Sequence, residues 1–129
     1  MGDTPLWFFL WGSAPRWTRS RITEGSRRER IRQLRLHALE TLGQRLIDQG
    51  RPAQAIEVGL AAVAADPLRE SAHRVIVSAH LAEGNRSEAL RQYRTFERLL
   101  DEQLGVGPSD RMLTLIGSVR ARGPAGVTA

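Results

Sequence analysis

The chain of 129 residues contains no cysteine. Disulfides, thiolate metal sites and a thiol nucleophile are therefore excluded, and the composition suits a cytoplasmic protein, where thiols would stay reduced. Lysine is also missing, and every basic residue is an arginine, a usage expected of a GC-rich bacterial genome more than of functional selection. Aromatic residues are few: three Trp, three Phe and one Tyr. Long apolar runs are lacking too. The stretch Leu6-Trp7-Phe8-Phe9-Leu10-Trp11 is too short to cross a bilayer, and it lacks the basic start and longer core of a signal peptide. No membrane partner is implied.

Chemistry-bearing motifs are equally sparse. No nucleophile elbow surrounds any Ser, and Gly105-Val106-Gly107-Pro108 lacks both the third glycine and the preceding strand that a phosphate cradle needs. His37, His73 and His80 are the three histidines. Glu70-x-x-His73 is half of a di-metal carboxylate motif, but the second half is absent, as is any His-Glu-x-x-His. Glu97, Asp101 and Glu102 stand at helical spacing from Arg94 and Arg98, which reads as exposed ion pairing. The sequence thus assigns no catalytic residue, metal ligand or cofactor, and an enzyme is not expected.

Charge is unevenly distributed. The net charge is +5, and residues 1–35 account for it: Arg16, Arg19, Arg21, Arg27, Arg28, Arg30, Arg32 and Arg35 face Asp3, Glu24 and Glu29. From Leu36 onward arginines and acids balance. Within the basic part, Arg28, Arg32 and Arg35 follow a 4 and 3 spacing on one helix face, away from Ile31 and Leu34. Such a stripe could hold phosphates with salt-sensitive affinity and no base selectivity. It reads equally as a solvated helix face.

What the chain does contain is a repeat. Gly50 recurs as Gly84, Ala55 as Ala89 and Leu42 as Ile76, with Gln54-Ala55-Ile56 echoed by Glu88-Ala89-Leu90, all 34 residues apart. A unit of that length is one helix-turn-helix of the tetratricopeptide type. One copy cannot bury its apolar face alone, so copies stack and leave a surface that usually binds partners. The spacing predicts five helices and no strand. The helical pattern starts near Arg27, with Ile31, Leu34, Ala38 and Leu42 as its inward stripe, widened by Leu39 and Leu46. Gly50 ends the first helix and Pro52 opens the second, whose stripe is Ile56, Leu60 and Val63, with Ala55, Gly59 and Ala62 small enough for close approach. Asp66-Pro67 marks the third start, followed inward by Leu68, Ala72, Val75, Ile76 and Ala79. Asn85 and Glu88 resemble a capping box before a face of Ala89, Tyr93, Phe96 and Leu100. Gly105 and Gly107 end that helix, and Pro108-Ser109-Asp110 begins a last one with Met112, Ile116 and Val119 inward. The expected organisation is a leader over 1–26, disordered or loosely packed, a helical domain over 27–122 and a disordered tail over 123–129. The leader reads alternatively as a segment tucked onto the helical body or as an anchor for a partner or membrane surface.

Several pieces in order resemble a known family. They are Leu34-Arg35-Leu36-His37-Ala38-Leu39-Glu40, Asp66-Pro67-Leu68-Arg69-Glu70 leading into His73-Arg74, Gly84-Asn85-Arg86-Ser87-Glu88-Ala89-Leu90 with Tyr93, and Leu104-Gly105-Val106-Gly107-Pro108-Ser109. Together they are similar to the bacterial transcriptional activator domain, the tetratricopeptide-like domain of antibiotic-pathway regulators of actinomycetes. The last piece resembles the family's ELGVEPS ending, with Gln103 and Gly107 in place of its two Glu. The resemblance implies an all-α, tetratricopeptide-like right-handed stack of antiparallel helix pairs, about two and a half repeats, and a helix-packing role for His73. In such regulators the domain usually follows a DNA-binding winged helix of ~100 residues, whereas the residues before Arg28 carry none of its alternating pattern. What the resemblance implies for this chain is transcriptional regulation through protein contacts with a winged-helix regulator, RNA polymerase or a second copy as a homodimer, and DNA reached only indirectly or weakly.

Repeat geometry also suggests where a partner would sit. The first helix of each pair lines the concave side, so its residues outside the apolar stripes face a ligand: His37, Glu40, Gln44 and Asp48, then Ser71, Arg74 and Ser78. Their polarity suits a charged or polar peptide. A stand-alone peptide adaptor, or a nonspecific nucleic-acid binder using Arg28, Arg32 and Arg35, are the alternative readings.

Overall fold

The computed structural model describes the backbone from residue 16 to residue 121 and side chains from 23 to 120; residues 1–15, the start of the expected leader, and 122–129, which include the whole expected tail 123–129, lie outside the described residues. Among the described residues there are five helices and no strand: α1 (Arg16–Asp48), α2 (Pro52–Ala65), α3 (Glu70–Ala82), α4 (Arg86–Leu104) and α5 (Asp110–Ala121). This is the all-α repeat stack expected from the 34-residue period. Helix α1 starts at Arg16 rather than near Arg27. The stretch from Arg16 to Ser26 contains three arginines and no proline, and Gly25 weakens it most, by ~1 kcal/mol. Two compact units are distinguished, residues 1–35 and 36–129.

The repeat is visible in the backbone. Gly50 and Gly84 take φ of +73° and +75°, a left-handed conformation that costs L side chains strain. At each, the next N–H reaches back along the preceding helix, from Arg51 to the Leu46 carbonyl and from Asn85 to the His80 carbonyl, both at 2.8 Å. These are paired Schellman closures. They turn the chain sharply enough for consecutive helices to pack side by side.

In the unit from Leu36, two apolar clusters hold the helices. Leu36 of α1, Ala62 of α2 and Ala72 of α3 form the smaller, flanked by Leu39 and Val63. Val77 of α3, then Ala89, Tyr93, Phe96 and Leu100 of α4, then Met112, Ile116 and Val119 of α5 form the larger. Each fully buried large side chain contributes about 1.5–3 kcal/mol. The faces expected for α3, α4 and α5 are buried, except that Leu68 is half-buried in the turn before α3.

Elsewhere the sequence reading needs correction. In α1 the buried side carries Leu36 and Gly43, whereas Ile31, Leu34 and Leu42 are 59%, 62% and 46% exposed. Ile76, the repeat mate of Leu42, is buried against Gly59 of the preceding helix α2, and among the described residues no helix precedes α1 to do the same for Leu42. In α2 the small residues Ala55, Gly59 and Ala62 form the buried face and Leu60 is 51% exposed. Helix α3 begins at Glu70, after a turn in which the Arg69 N–H bonds the Asp66 carbonyl at 3.2 Å; Asp66 closes α2 instead of capping α3. Asn85 precedes α4 without a side-chain cap bond, and Glu88 pairs with Arg91 at 2.9 Å.

Helix α5 is held at both ends by charge. The Ser109 N–H donates to Glu70 Oε1 at 2.7 Å, and the Ser109 hydroxyl bonds the other carboxylate oxygen. Arg86 Nη2 donates to the Val119 carbonyl at 2.8 Å. An anion at a helix N-terminus and a cation at its C-terminus both complement the helix dipole.

Two outcomes are expected. Alanine at Gly59 would place its Cβ 2.6 Å from Ile76 Cγ1, whereas alanine at Gly117 meets nothing within 4 Å. In denaturant unfolding Gly117→Ala should gain up to about 1 kcal/mol from helix propensity, while Gly59→Ala should lose stability, because overpacking of about 1–3 kcal/mol outweighs the same gain. Glu70→Ala should cost about 1 kcal/mol, with faster amide exchange in α5 and little change in α2.

Candidate functional site

Helices α1 and α3 leave a groove of about 220 Å³ lined by Glu40, Thr41 and Gln44 on one side and Ser71, Arg74, Val75 and Ser78 on the other. The spacing of 3 to 4 residues puts each set on one helix face. Of the residues expected on the concave side, Glu40, Gln44, Ser71, Arg74 and Ser78 come together here. His37 and Asp48 do not line the groove; both are exposed on α1. Asp48 accepts a hydrogen bond from the Gln44 amide at 3.1 Å, and the His37 carbonyl accepts one from the Thr41 hydroxyl at 3.0 Å. Thr41 was absent from the sequence reading, and Val75 was read as core and not as part of a ligand-facing side. Thr41 follows Glu40 on the same polar side, a signal that was available, whereas Val75 reads as core and is both core and groove edge.

The groove's charges are held from within the unit. Glu40 is bonded by the Arg69 guanidinium and by the Ser71 hydroxyl, the latter at 2.7 Å. Burial opposes its ionisation, but the bonds from Arg69 and Ser71 outweigh burial and keep its carboxyl below the usual range. Arg74 faces Glu70 at 3.4 Å. Charges already paired within the unit, beside the hydroxyls of Thr41, Ser71 and Ser78 and the amide of Gln44, can recognise polar side chains and peptide groups.

Arg28, Arg32 and Arg35 lie in the other unit, all exposed. Glu29 sits among them, bonded by Arg32 at 3.2 Å and by the Gln33 amide at 2.7 Å. Those hydrogen bonds lower its carboxyl pKa, so the acid stays charged beside the stripe.

The Glu70-x-x-His73 pair diverges. Glu70 serves α5 and Arg74, while His73 is buried, with its ring 4.4 Å from that of Phe96. Its Nε2 lies 2.7 Å from the Pro67 carbonyl and its Nδ1 2.9 Å from the Gln92 amide. A carbonyl only accepts, so Nε2 carries the proton and Nδ1 accepts from Gln92, which is the neutral tautomer. Burial pushes the His73 pKa down, against a smaller upward pull from the Pro67 bond. At high pH folded and unfolded states are both neutral and this residue costs nothing. Below the ordinary value of 6.5 the unfolded chain takes up a proton that the folded one resists, so stability falls as pH drops. Unfolding free energy should decline below about pH 6.5, and His73→Gln should flatten that decline in urea titrations across the same range.

Comparison with known proteins fits this architecture. Residues 12–120 match the family described as bacterial transcriptional activator domain. The regulatory protein AfsR of Streptomyces coelicolor is 35% identical over 100 residues, covering 78% of this chain and 10% of that protein. The regulatory protein AfsR of Streptomyces griseus is 34% identical over 90 residues, covering 70% of this chain and 9% of that protein. The chain thus spans about a tenth of the length of these relatives. No solved structure matches it. The helix order, the 34-residue closures and this match agree: the chain belongs to the bacterial transcriptional activator domain family.

Proposed function

We propose that the chain acts in transcriptional regulation, without enzymatic activity, by using the groove between α1 and α3 to hold a polar segment of a protein partner. The observation that carries this reading is the convergence of Glu40, Gln44, Ser71, Arg74 and Ser78 on one groove, the residues that repeat geometry assigns to a ligand-facing side. Similarity to two proteins named as regulatory supports the setting. The partner is a winged-helix regulator, RNA polymerase or a second copy of the chain, met in the cytoplasm. Among the described residues no helix is long and apolar enough to cross a membrane.

The test is a photo-crosslinking amino acid placed at Gln44 in cells of the native host, with the same group at Thr114 on exposed α5 as comparison. The Gln44 position should trap one protein of the transcription machinery or the chain itself. Ser78→Arg, which fills the groove, should reduce that product by about tenfold or more, since buried polar contacts at interfaces are worth at least about 1.4 kcal/mol. Equal trapping at Gln44 and Thr114, or a product indifferent to Ser78→Arg, would refute the groove as the contact.

A further inference from the structure

The outer face of α4 differs from what its charge pattern suggests. Arg94 and Arg98 read as partners for Glu97 and Asp101, yet Glu97 accepts the Tyr93 hydroxyl at 2.7 Å, and neither arginine makes an ion pair among the described residues. Both arginines instead border two cavities. One, of about 560 Å³, also holds Glu97, Asp101 and the Gly105–Pro108 loop. The other, of about 460 Å³, is lined by Ser87, Leu90, Arg91, Arg94, Thr95 and Arg98. The second brings three guanidinium side chains and two hydroxyl side chains together with no carboxylate in its lining.

We propose that this Arg91–Arg94–Arg98 face is a binding site for the phosphate backbone of duplex DNA, separate from the α1–α3 groove and independent of the protein-contact reading. The charges form a line rather than a cup. With a rise of ~1.5 Å per residue, Arg91 to Arg98 extends about 10 Å along α4, which suits a polymer of evenly spaced anions better than a single phosphate. Guanidinium forks bond phosphate oxygens in pairs, and the Ser87 hydroxyl is of the kind that adds to backbone contacts. Arg91 holds Glu88 at 2.9 Å, but its side chain is 74% exposed, and such surface pairs are weak enough to exchange for phosphate. An acidic peptide fits less well. Leu90 is the one apolar residue of the lining, and protein segments draw their affinity from buried aromatic or aliphatic anchors. Since contacts to the phosphate backbone carry no sequence information, binding should be indifferent to sequence.

Fluorescence anisotropy of the full chain with a mixed-sequence duplex, from about 50 to 200 mM salt, tests this. Each neutralised phosphate adds ~0.9 to the slope of log K against log salt. Replacing all three arginines by Gln should therefore reduce the slope by about 2 to 3, making the parent lose up to about 40-fold more affinity than the variant over that range. Replacing all three by Lys should keep most of the slope. Arg94→Gln and Arg98→Gln singly, each on an exposed position, should remove about one unit apiece and keep the test readable if the triple variant unfolds. The parallel variant with Arg28, Arg32 and Arg35 changed to Gln separates the α1 stripe. A slope unchanged in the α4 variants, failure of the parent to bind DNA at the lowest salt, or tighter binding to poly-glutamate than to the duplex would each overturn the proposal.

Discussion

Two adjacent residues of α3 set the spacing of the first three helices. Val75 Cγ1 occupies the place where a side chain at Gly43 of α1 would be, 2.6 Å from that missing Cβ, and Ile76 Cγ1 does the same at Gly59 of α2. Successive residues of a helix point about 100° apart, so one helix wedges into two neighbours by using two glycines on two different helices. Packed interiors do not tolerate overlap. The separation of α1 from α3, and hence the width of the groove that Val75 edges, therefore depends on Gly43 having no side chain. This also explains why Gly59 is retained in a helix interior despite a propensity cost of ~1 kcal/mol.

Helix α3 is central because it is buried on nearly every side. Ala72, His73, Val75, Ile76, Val77 and Ala79 are all buried, facing α1, α2 and α4 in turn, and a helix apolar on most sides belongs in a core. Ser71, Arg74 and Ser78, half-buried, lie along one edge. Their position in the groove follows from where the other faces must go. Glu70, at the start of the same helix, can then reach Ser109 at the start of α5, so the helix that spaces the first repeat also anchors the last helix.

The legibility of the sequence follows the same physics. Helices α4 and α5 present large apolar residues on one side only, and Tyr93, Phe96, Met112 and Ile116 are buried as the 3.6-residue period predicts. The closures at Gly50 and Gly84 were equally readable, since only glycine suits both the conformation and the 34-residue register. The close approach at Gly59 of α2 was read, but Leu60 and the stripe of α1 were misplaced for a shared reason: period ranks large apolar residues as core, whereas the contact faces carry Gly43 or Gly59. Close approach is bought with small side chains there, leaving Leu42 and Leu60 outside. For the groove, helical spacing was enough to name most of the lining. His37 and Asp48 are exposed on α1 outside that lining, since spacing fixes a face but not which of its residues border the groove.

The two polar surfaces of the helical unit differ in a way that no count of charges reveals. From Leu36 onward arginines and acids balance, so a sum predicts no attraction to a polyanion. In the α1–α3 groove the balance is local: Glu40 is bound by Arg69 and Ser71, and Arg74 faces Glu70. Those carboxylates are committed to holding helices together. On α4 the compensation is displaced instead, because Tyr93 claims Glu97 and leaves Arg94 beside a cavity without acids in its lining. Burial reinforces this: it raises the Tyr93 pKa ahead of the effect of the Glu97 bond, so the phenol keeps its proton and continues to occupy that carboxylate. A neutral surface thereby divides into a groove whose charges are paired within it and an arginine line from which Glu97 is drawn away. Potential at a surface depends on where charges sit within a Debye length of about 8 Å, not on their total.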